Sequence, residues 1–126
     1  MSRALRVGPR TGEPQPTEPV MLDAQRLVLD LIRALRPLCA QIALQSPDLA
    51  DQLRRAASSV ALNLGEGVRR TGRDKKRAYR IAAAEAQETK IALEVALAWG
   101  WLDESELAAV RELADRVCRV TYALAR

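Results

Sequence analysis

Apolar residues return at alternating steps of three and four along this chain, and that spacing constrains the fold more than any other feature. In the first run they are Ala24, Leu27, Leu31, Ala34, Leu38 and Ile42. Steps of three and four place side chains on one face of an α-helix. The run predicts a helix from about Leu22 to Gln45, and Pro37 is expected to kink or split it because proline lacks an N–H.

A second run follows a helix start signal. Ser46 is suited to cap the N-terminus of a helix, and Pro47 suits its first position. The helix is expected to continue to about Gly67 or one turn further, with Gly72 ending it. Its predicted core stripe is Leu49, Leu53, Ala56, Val60 and Asn63.

The third helix is expected to begin near Asp74 and to run to Trp99, with Gly100 as its terminator. Its predicted core stripe is Ile81, Ala84, Glu88, Ile91, Val95 and Ala98. These positions repeat at the same helical spacing as the first two stripes.

The fourth helix is expected to start at Asp103, which stands three residues before Glu106 in the spacing of a capping box. Its predicted stripe is Leu107, Val110, Ala114, Val117, Thr121 and Leu124. The chain has no Phe and is rich in Ala and Leu, the leading helix formers. Four helices joined by short turns predict an all-α, up-down-up-down four-helix bundle over residues 21–126.

Residues 1–20 hold four of the six prolines and lack a helical period, so they are expected to form a flexible arm. The sequence contains neither a run of 18 apolar residues nor the apolar core of a signal peptide, which predicts a cytoplasmic protein without membrane contact. In that compartment Cys39 and Cys118 are expected to be buried free thiols.

Histidine is absent, which removes the commonest general base and metal ligand. The sequence also lacks a phosphate-binding glycine loop, a CxxC pair and a serine nucleophile elbow. A non-enzymatic protein without cofactor or metal is therefore expected. The alternative of a di-iron bundle would use inward carboxylates such as Glu66, Glu85, Glu88 and Glu94, but such sites also need Glu-x-x-His.

Two polar residues stand on predicted core stripes, Asn63 in the second helix and Glu88 in the third. A buried polar group without a partner costs about 1–3 kcal/mol. We therefore predict a structural polar contact inside the bundle, either between these two residues or with Arg55 or Thr89.

The segment DQLRRAASSVALNLGEGVRR carries a longer pattern. It is similar in order and spacing to Q-x-R-R-A-x-x-S-x-x-x-N-x-x-E-G, matched here by Gln52, Arg54, Arg55, Ala56, Ser59, Asn63, Glu66 and Gly67. That pattern resembles the four-helix bundle proteins encoded in 23S rRNA intervening sequences, relatives of the accessory variability determinant of diversity-generating retroelements. Glu88 and the Gly100-Trp101-Leu102 exit of the third helix match the same family.

The resemblance covers about residues 22–124. It implies a bundle that assembles into a homopentameric ring and a nucleic-acid-related role without catalysis. In the retroelement branch of the family the ring binds RNA and the reverse transcriptase, so both are implied partners.

Positive charge is concentrated in one part of the chain. Between Arg54 and Arg80 nine basic residues accompany two acidic ones, although the whole chain has a net charge of only +4. The segment predicts a surface that binds the RNA or DNA backbone, with steep salt dependence and little sequence preference. Two alternatives remain open: a solvated helix connection, and a scaffold that docks a protein such as a reverse transcriptase. The predicted nucleic-acid-binding residues are Arg54, Arg55, Arg69, Arg70, Arg73, Lys75, Lys76, Arg77 and Arg80.

Overall fold

The computed structural model describes residues 18–126, with side chains described from Asp23 onward. It contains four α-helices and no strand within that range. They are α1 (Glu18–Ala43), α2 (Pro47–Arg69), α3 (Gly72–Ala98) and α4 (Glu104–Ala125). Each helix packs against the next, and α4 returns to α1. The predicted up-down-up-down four-helix bundle is confirmed. Of the predicted arm, residues 1–17 lie outside the described residues, and α1 begins at Glu18.

The predicted helix starts are present. The hydroxyl of Ser46 accepts a hydrogen bond from the backbone N–H of Leu49 at 3.1 Å. Asp103 and Glu106 form a reciprocal capping box, in which each carboxylate accepts the other residue's backbone N–H at 2.8 Å. Pro37 does not split α1, which continues for six residues beyond it.

Gly72 does not end α2 as predicted. The helix α2 stops at Arg69, and Gly72 is the first residue of α3 with a φ of +54°. Only two residues therefore separate the helices, and the left-handed conformation at Gly72 lets the chain reverse within that short link. Gly100, with a φ of +81°, follows the end of α3 as predicted.

The core lies between the four helices. The predicted stripes of α1, α2 and α4 face it, and Leu31, Leu53, Val60 and Leu107 are almost fully buried. Members at its margin are only half-buried: Ala34, Leu49, Asn63 and Leu124. Among the described helices, none combines the length and hydropathy that a membrane span requires.

The predicted core stripe of α3 is wrong. Ala84, Glu88 and Ala98 are exposed, Ile91 is 60% exposed and Val95 is 37% exposed. The helix turns an alanine-rich face to the core instead, with Tyr79 and Leu93 as its large members and Ala78, Ala82, Ala86, Thr89, Ala92 and Ala96 as its small ones. Apolar residues lie on both faces of α3. A prediction from periodicity assigns the face with the larger side chains to the core, whereas close packing against α2 requires the face with the smaller ones.

The predicted polar contact between Asn63 and Glu88 is also absent, because neither residue lies in the core. Asn63 is half-buried and donates within its own helix to the carbonyl and hydroxyl of Ser59, at 2.9 and 3.1 Å. Glu88 is exposed and lies 3.5 Å from the side-chain amide of Gln52. From Asp23 onward, the polar side chains that are fully buried are those of Thr89 and Thr121.

Both threonines satisfy their hydroxyls locally. Thr89 donates to the carbonyl of Glu85 at 2.8 Å, and Thr121 donates to that of Val117 at 2.7 Å. A hydroxyl that bonds the carbonyl four residues earlier needs no partner from another helix. The buried polar groups therefore do not tie α2 to α3.

Candidate nucleic-acid interface

The link between α2 and α3 is held by a lysine. Lys75 Nζ donates to the carbonyl oxygen of Gly67 at 2.8 Å and lies 5.6 Å from the centre of the Tyr79 ring. The last carbonyls of a helix lack intrahelical partners and carry partial negative charge, so a cation there is stabilising. Lys75 thus joins the end of α2 to the first turns of α3.

A second lysine connects this link to α4. Lys76 Nζ donates to the carbonyl of Leu124, at 3.5 Å, and to that of Arg126. The end of α4 therefore lies beside the start of α3, as antiparallel packing of the two helices requires. We call this end of the bundle the basic end.

Seven of the nine predicted residues lie at the basic end: Arg69, Arg70, Arg73, Lys75, Lys76, Arg77 and Arg80. Both lysines are engaged as described above. Arg70 Nε donates to Glu66 at 2.8 Å, and this bond raises the pKa of the guanidinium. The remaining four are exposed, and none of them forms an ion pair with a residue that the structure describes.

These four side chains are Arg69, Arg73, Arg77 and Arg80. A guanidinium without a carboxylate partner keeps its full charge and its hydrogen-bond donors for another molecule. These four arginines of the basic end can therefore bind a polyanion at no cost to an internal ion pair.

Arg54 and Arg55 do not join the basic end. They lie in the first half of α2, and at a rise of about 1.5 Å per residue some 20 Å of helix axis separates Arg55 from Arg69. Arg54 Nη1 also pairs with Asp51 at 3.3 Å. The sequence prediction grouped all nine residues because they are close along the chain. The helix α2 nevertheless places Arg54 and Arg55 far from the basic end.

One basic residue at this end, Arg126, was missed by the sequence prediction, and two further arginines precede it in α4. Arg116, Arg119 and Arg126 lie in or after the second half of α4 and form no ion pair within residues 18–126. The predicted topology contained the signal for Arg126, since an antiparallel α4 must return to the α2–α3 link. Arg126 adds a third helix to the basic end, while Arg116 and Arg119 lie near the Lys90–Asp115 pair, towards the middle of the bundle.

Most polar residues of the sequence pattern line one groove on the surface. Gln52, Arg55, Ser59 and Asn63 line a groove of about 620 Å³ along the outer seam of α2 and α3, where Glu85 and Glu88 face them. Asn63 also borders the next groove along the seam, together with Glu66, Arg70, Asp74 and Arg77. This seam mixes both signs of charge, unlike the basic end.

Ion pairs join α3 to α4 in the other half of the bundle. Arg111 Nε donates to Glu94 at 2.8 Å and Arg111 Nη1 to Glu104 at 2.8 Å, and Lys90 lies 2.9 Å from Asp115. The guanidinium of Arg111 lowers the pKa of the Glu94 carboxyl. The two cations between α3 and α4, Lys90 and Arg111, are therefore neutralised, in contrast to the free arginines at the basic end.

Neither cysteine has the setting of a reactive thiol. Cys39 and Cys118 are buried and unbonded, as predicted, and burial raises the pKa of both thiols. Across residues 18–126 no group of three or more His, Cys, Asp or Glu side chains could hold a metal ion. The four glutamates considered for a di-iron site accordingly do not converge in this region.

Comparison with known proteins agrees with this architecture. The sequence profile of the 23S rRNA-intervening sequence proteins matches residues 19–123. No curated protein matches the chain. A crystal structure of a protein of unknown function from the S23 ribosomal protein family of Bacteroides thetaiotaomicron superposes with a TM-score of 0.70, at 17% identity, over 84% of this chain and 97% of that one. That likeness concerns the fold. The profile match spans nearly the whole described bundle, and the chain belongs to the family of 23S rRNA-intervening sequence proteins.

Proposed function

We propose that this protein is a non-enzymatic, self-assembling accessory protein that binds the phosphate backbone of RNA or DNA through its basic end. The observation that carries the proposal is the set of four exposed arginines without carboxylate partners, Arg69, Arg73, Arg77 and Arg80, on one helical hairpin. Arg126, after the end of α4, lies beside them and enlarges the same surface. The family name, which refers to ribosomal RNA, agrees with a nucleic-acid context.

The chemistry of the surface predicts the mode of binding. Arginine forks match phosphate oxygens, whereas stacking can contribute little: Tyr79 is buried, and Tyr122 beside Arg126 is a single exposed ring. Binding should therefore follow the backbone and tolerate any base sequence. If four phosphates are neutralised, affinity for a duplex should fall on the order of 100-fold between 50 and 200 mM salt.

Self-assembly, which the sequence resemblance implies, would strengthen the binding of a polyanion. Repetition of the basic end in several copies would multiply the positive field and the number of phosphate contacts. A homopentameric ring is the assembly that the sequence resemblance implies, and the mass of the protein in solution would establish the number of copies.

The test compares two variants of equal charge change. Arg73→Gln with Arg77→Gln removes two free arginines from the basic end, and Arg54→Gln with Arg55→Gln removes two from the other half of α2. Lys75 and Lys76 are left intact, because their ammonium groups hold helix carbonyls. Binding of a labelled RNA duplex of about 20 base pairs is measured by fluorescence anisotropy over a salt series, where each lost phosphate contact lowers the slope by about one.

The basic-end variant should bind more weakly and show a salt slope lower by about two, while the α2 variant should resemble the wild type. Equal losses in both variants would contradict a localised interface. Absence of binding at low salt would contradict the proposal altogether and favour a scaffold for a partner protein. Recovery of one protein, such as a reverse transcriptase, from nuclease-treated lysate would then support that alternative.

A further inference from the structure

The helix α3 carries an apolar stripe on the outside of the bundle. Its members follow the helical steps of four and three: Ala84, Glu88, Ile91, Val95 and Ala98. Ile91 is 60% exposed, and Trp99 at the end of the stripe is 68% exposed. A helix with apolar residues on both faces is typical of one covered on both sides. We call this set the α3 outer stripe.

A second stripe lies on the outside of α1. Its exposed members also follow steps of three and four: Arg26, Leu29, Arg33, Arg36, Ala40 and Leu44. Leu29 is 44% exposed, and Leu44, in the turn after the helix, is 82% exposed. We call this set the α1 outer stripe.

The two stripes are complementary in charge. The α1 outer stripe holds three arginines, of which Arg26 and Arg36 form no ion pair with any described residue. The α3 outer stripe holds Glu88, with Glu85 nearby, and neither carboxylate forms an ion pair in the described bundle. Apolar side chains on each stripe would be buried together, and the flanking charges would set register and orientation.

The stripes also point in different directions. In the bundle α1 neighbours α2 and α4, and α3 does the same, so α1 and α3 stand diagonally. Their outer faces are on opposite sides of one molecule. Such an arrangement allows one copy to contact the next head to tail, and a closed rotation would give a ring.

We infer that the α1 outer stripe of one copy packs against the α3 outer stripe of the next. This inference rests on the proposed self-assembly but on no residue of the basic end, so the interface and the nucleic-acid binding fail or succeed separately. A symmetric contact between two α3 helices would leave the arginines of α1 unmatched. The head-to-tail contact uses both exposed stripes and pairs opposite charges.

Two variants test the interface. The α1 variant, Leu29→Glu with Arg36→Glu, should repel the glutamates of α3 in the next copy. The α3 variant, Glu88→Arg with Ile91→Arg, should repel the arginines of α1. Each keeps one stripe intact. Mass is measured by light scattering after size exclusion and by native mass spectrometry. We expect an oligomer for the wild type, a monomer for each variant alone, and an assembly with equal numbers of the two variants when they are mixed.

Association of the mixture is diagnostic, because only a head-to-tail contact can join the intact α3 stripe of one variant to the intact α1 stripe of the other. Circular dichroism should show unchanged helix content, and Tyr122→Asp, which charges an exposed aromatic outside both stripes, should leave the mass unchanged. A monomeric wild type at about 50 μM, far above the dissociation constant of a stable interface, would overturn the inference. So would an α1 variant of wild-type mass, or a mixture that stays monomeric. RNA binding by the monomeric variants would show that the basic end binds nucleic acid without the interface between copies.

Discussion

The ring of Tyr79 fills the space that a side chain at position 67 would occupy. A Cβ built on Gly67 would lie 2.8 Å from two carbons of that ring, Cδ1 and Cζ, and closer still to Cε1. Real Cβ contacts are essentially never that short, and Tyr79 is only 2% exposed, so its ring has little room to move. This contact brings α2 and α3 close together at the basic end.

Replacement of Gly67 by alanine should therefore destabilise the protein. Overpacking of a dense core typically costs about 1–3 kcal/mol, which exceeds the helix propensity gained by alanine. Urea unfolding followed by circular dichroism measures the difference. We expect a lower midpoint for Gly67→Ala.

Gly65 provides the matched control. It lies in the same helix two residues earlier, and nothing stands within 4 Å of the Cβ it would gain. Gly65→Ala should raise stability by about 1 kcal/mol or less, because alanine loses less backbone entropy in a helix. Equal effects at both positions would mean that Tyr79 does not limit the approach of the helices.

The arginines of α4 should contribute to nucleic-acid binding. Arg116→Gln with Arg119→Gln removes two cations that no described carboxylate neutralises. We expect the salt slope for an RNA duplex to fall by as much as about two, without a change in helix content. An unchanged slope would confine the interface to the α2–α3 hairpin.

Acid should weaken the contact between α3 and α4. The pKa of Glu94 is lowered in the folded protein by the hydrogen bond from Arg111, so the folded state resists protonation more than the unfolded chain does. The stabilisation is complete above the ordinary pKa of 4.5 and is lost as the pH falls through the lowered value. Unfolding temperatures measured across this pH range should fall as the stabilisation is lost.

Arg111→Gln should lower the unfolding temperature at neutral pH. In acid, the difference between the unfolding temperatures of the variant and the wild type should become smaller. Arg33→Gln is the control, because its pair with Asp30 has side chains 66% and 61% exposed and should contribute little. A difference in unfolding temperature that stays constant with pH would mean that the Arg111 contact does not depend on the ionisation of Glu94.

Most of the fold could be predicted from local signals. Ser46, Asp103 and Glu106 cap helices through bonds within a few residues, so their roles are visible in the sequence alone. The core faces of α1, α2 and α4 follow from a single apolar stripe in each. The helix α3 differs, because Ala82 and Ala86 are buried while Ile91 is exposed. Which of two apolar faces turns inward depends on how closely a neighbouring helix can approach.

The candidate site shows the same limit. Arg73 and Arg77 were correctly grouped because they lie one turn apart on a single helix, which sequence spacing reveals. Arg54 was misplaced because distance along the chain was taken for distance in space, and Arg126 was missed because it follows another helix. Neither the carbonyl bound by Lys75 nor the one bound by Lys76 could be read from the sequence.

The link of two residues between α2 and α3 has a consequence for affinity. The arginines of the basic end are borne by ordered helix backbone on each side of that link, with Lys75 fastening one side to the other. A polyanion that docks there need not freeze a loop, which would cost about 1–2 kcal/mol per residue in backbone entropy. Only side-chain torsions remain to be restricted, so more of the attraction between guanidinium and phosphate is retained as binding free energy.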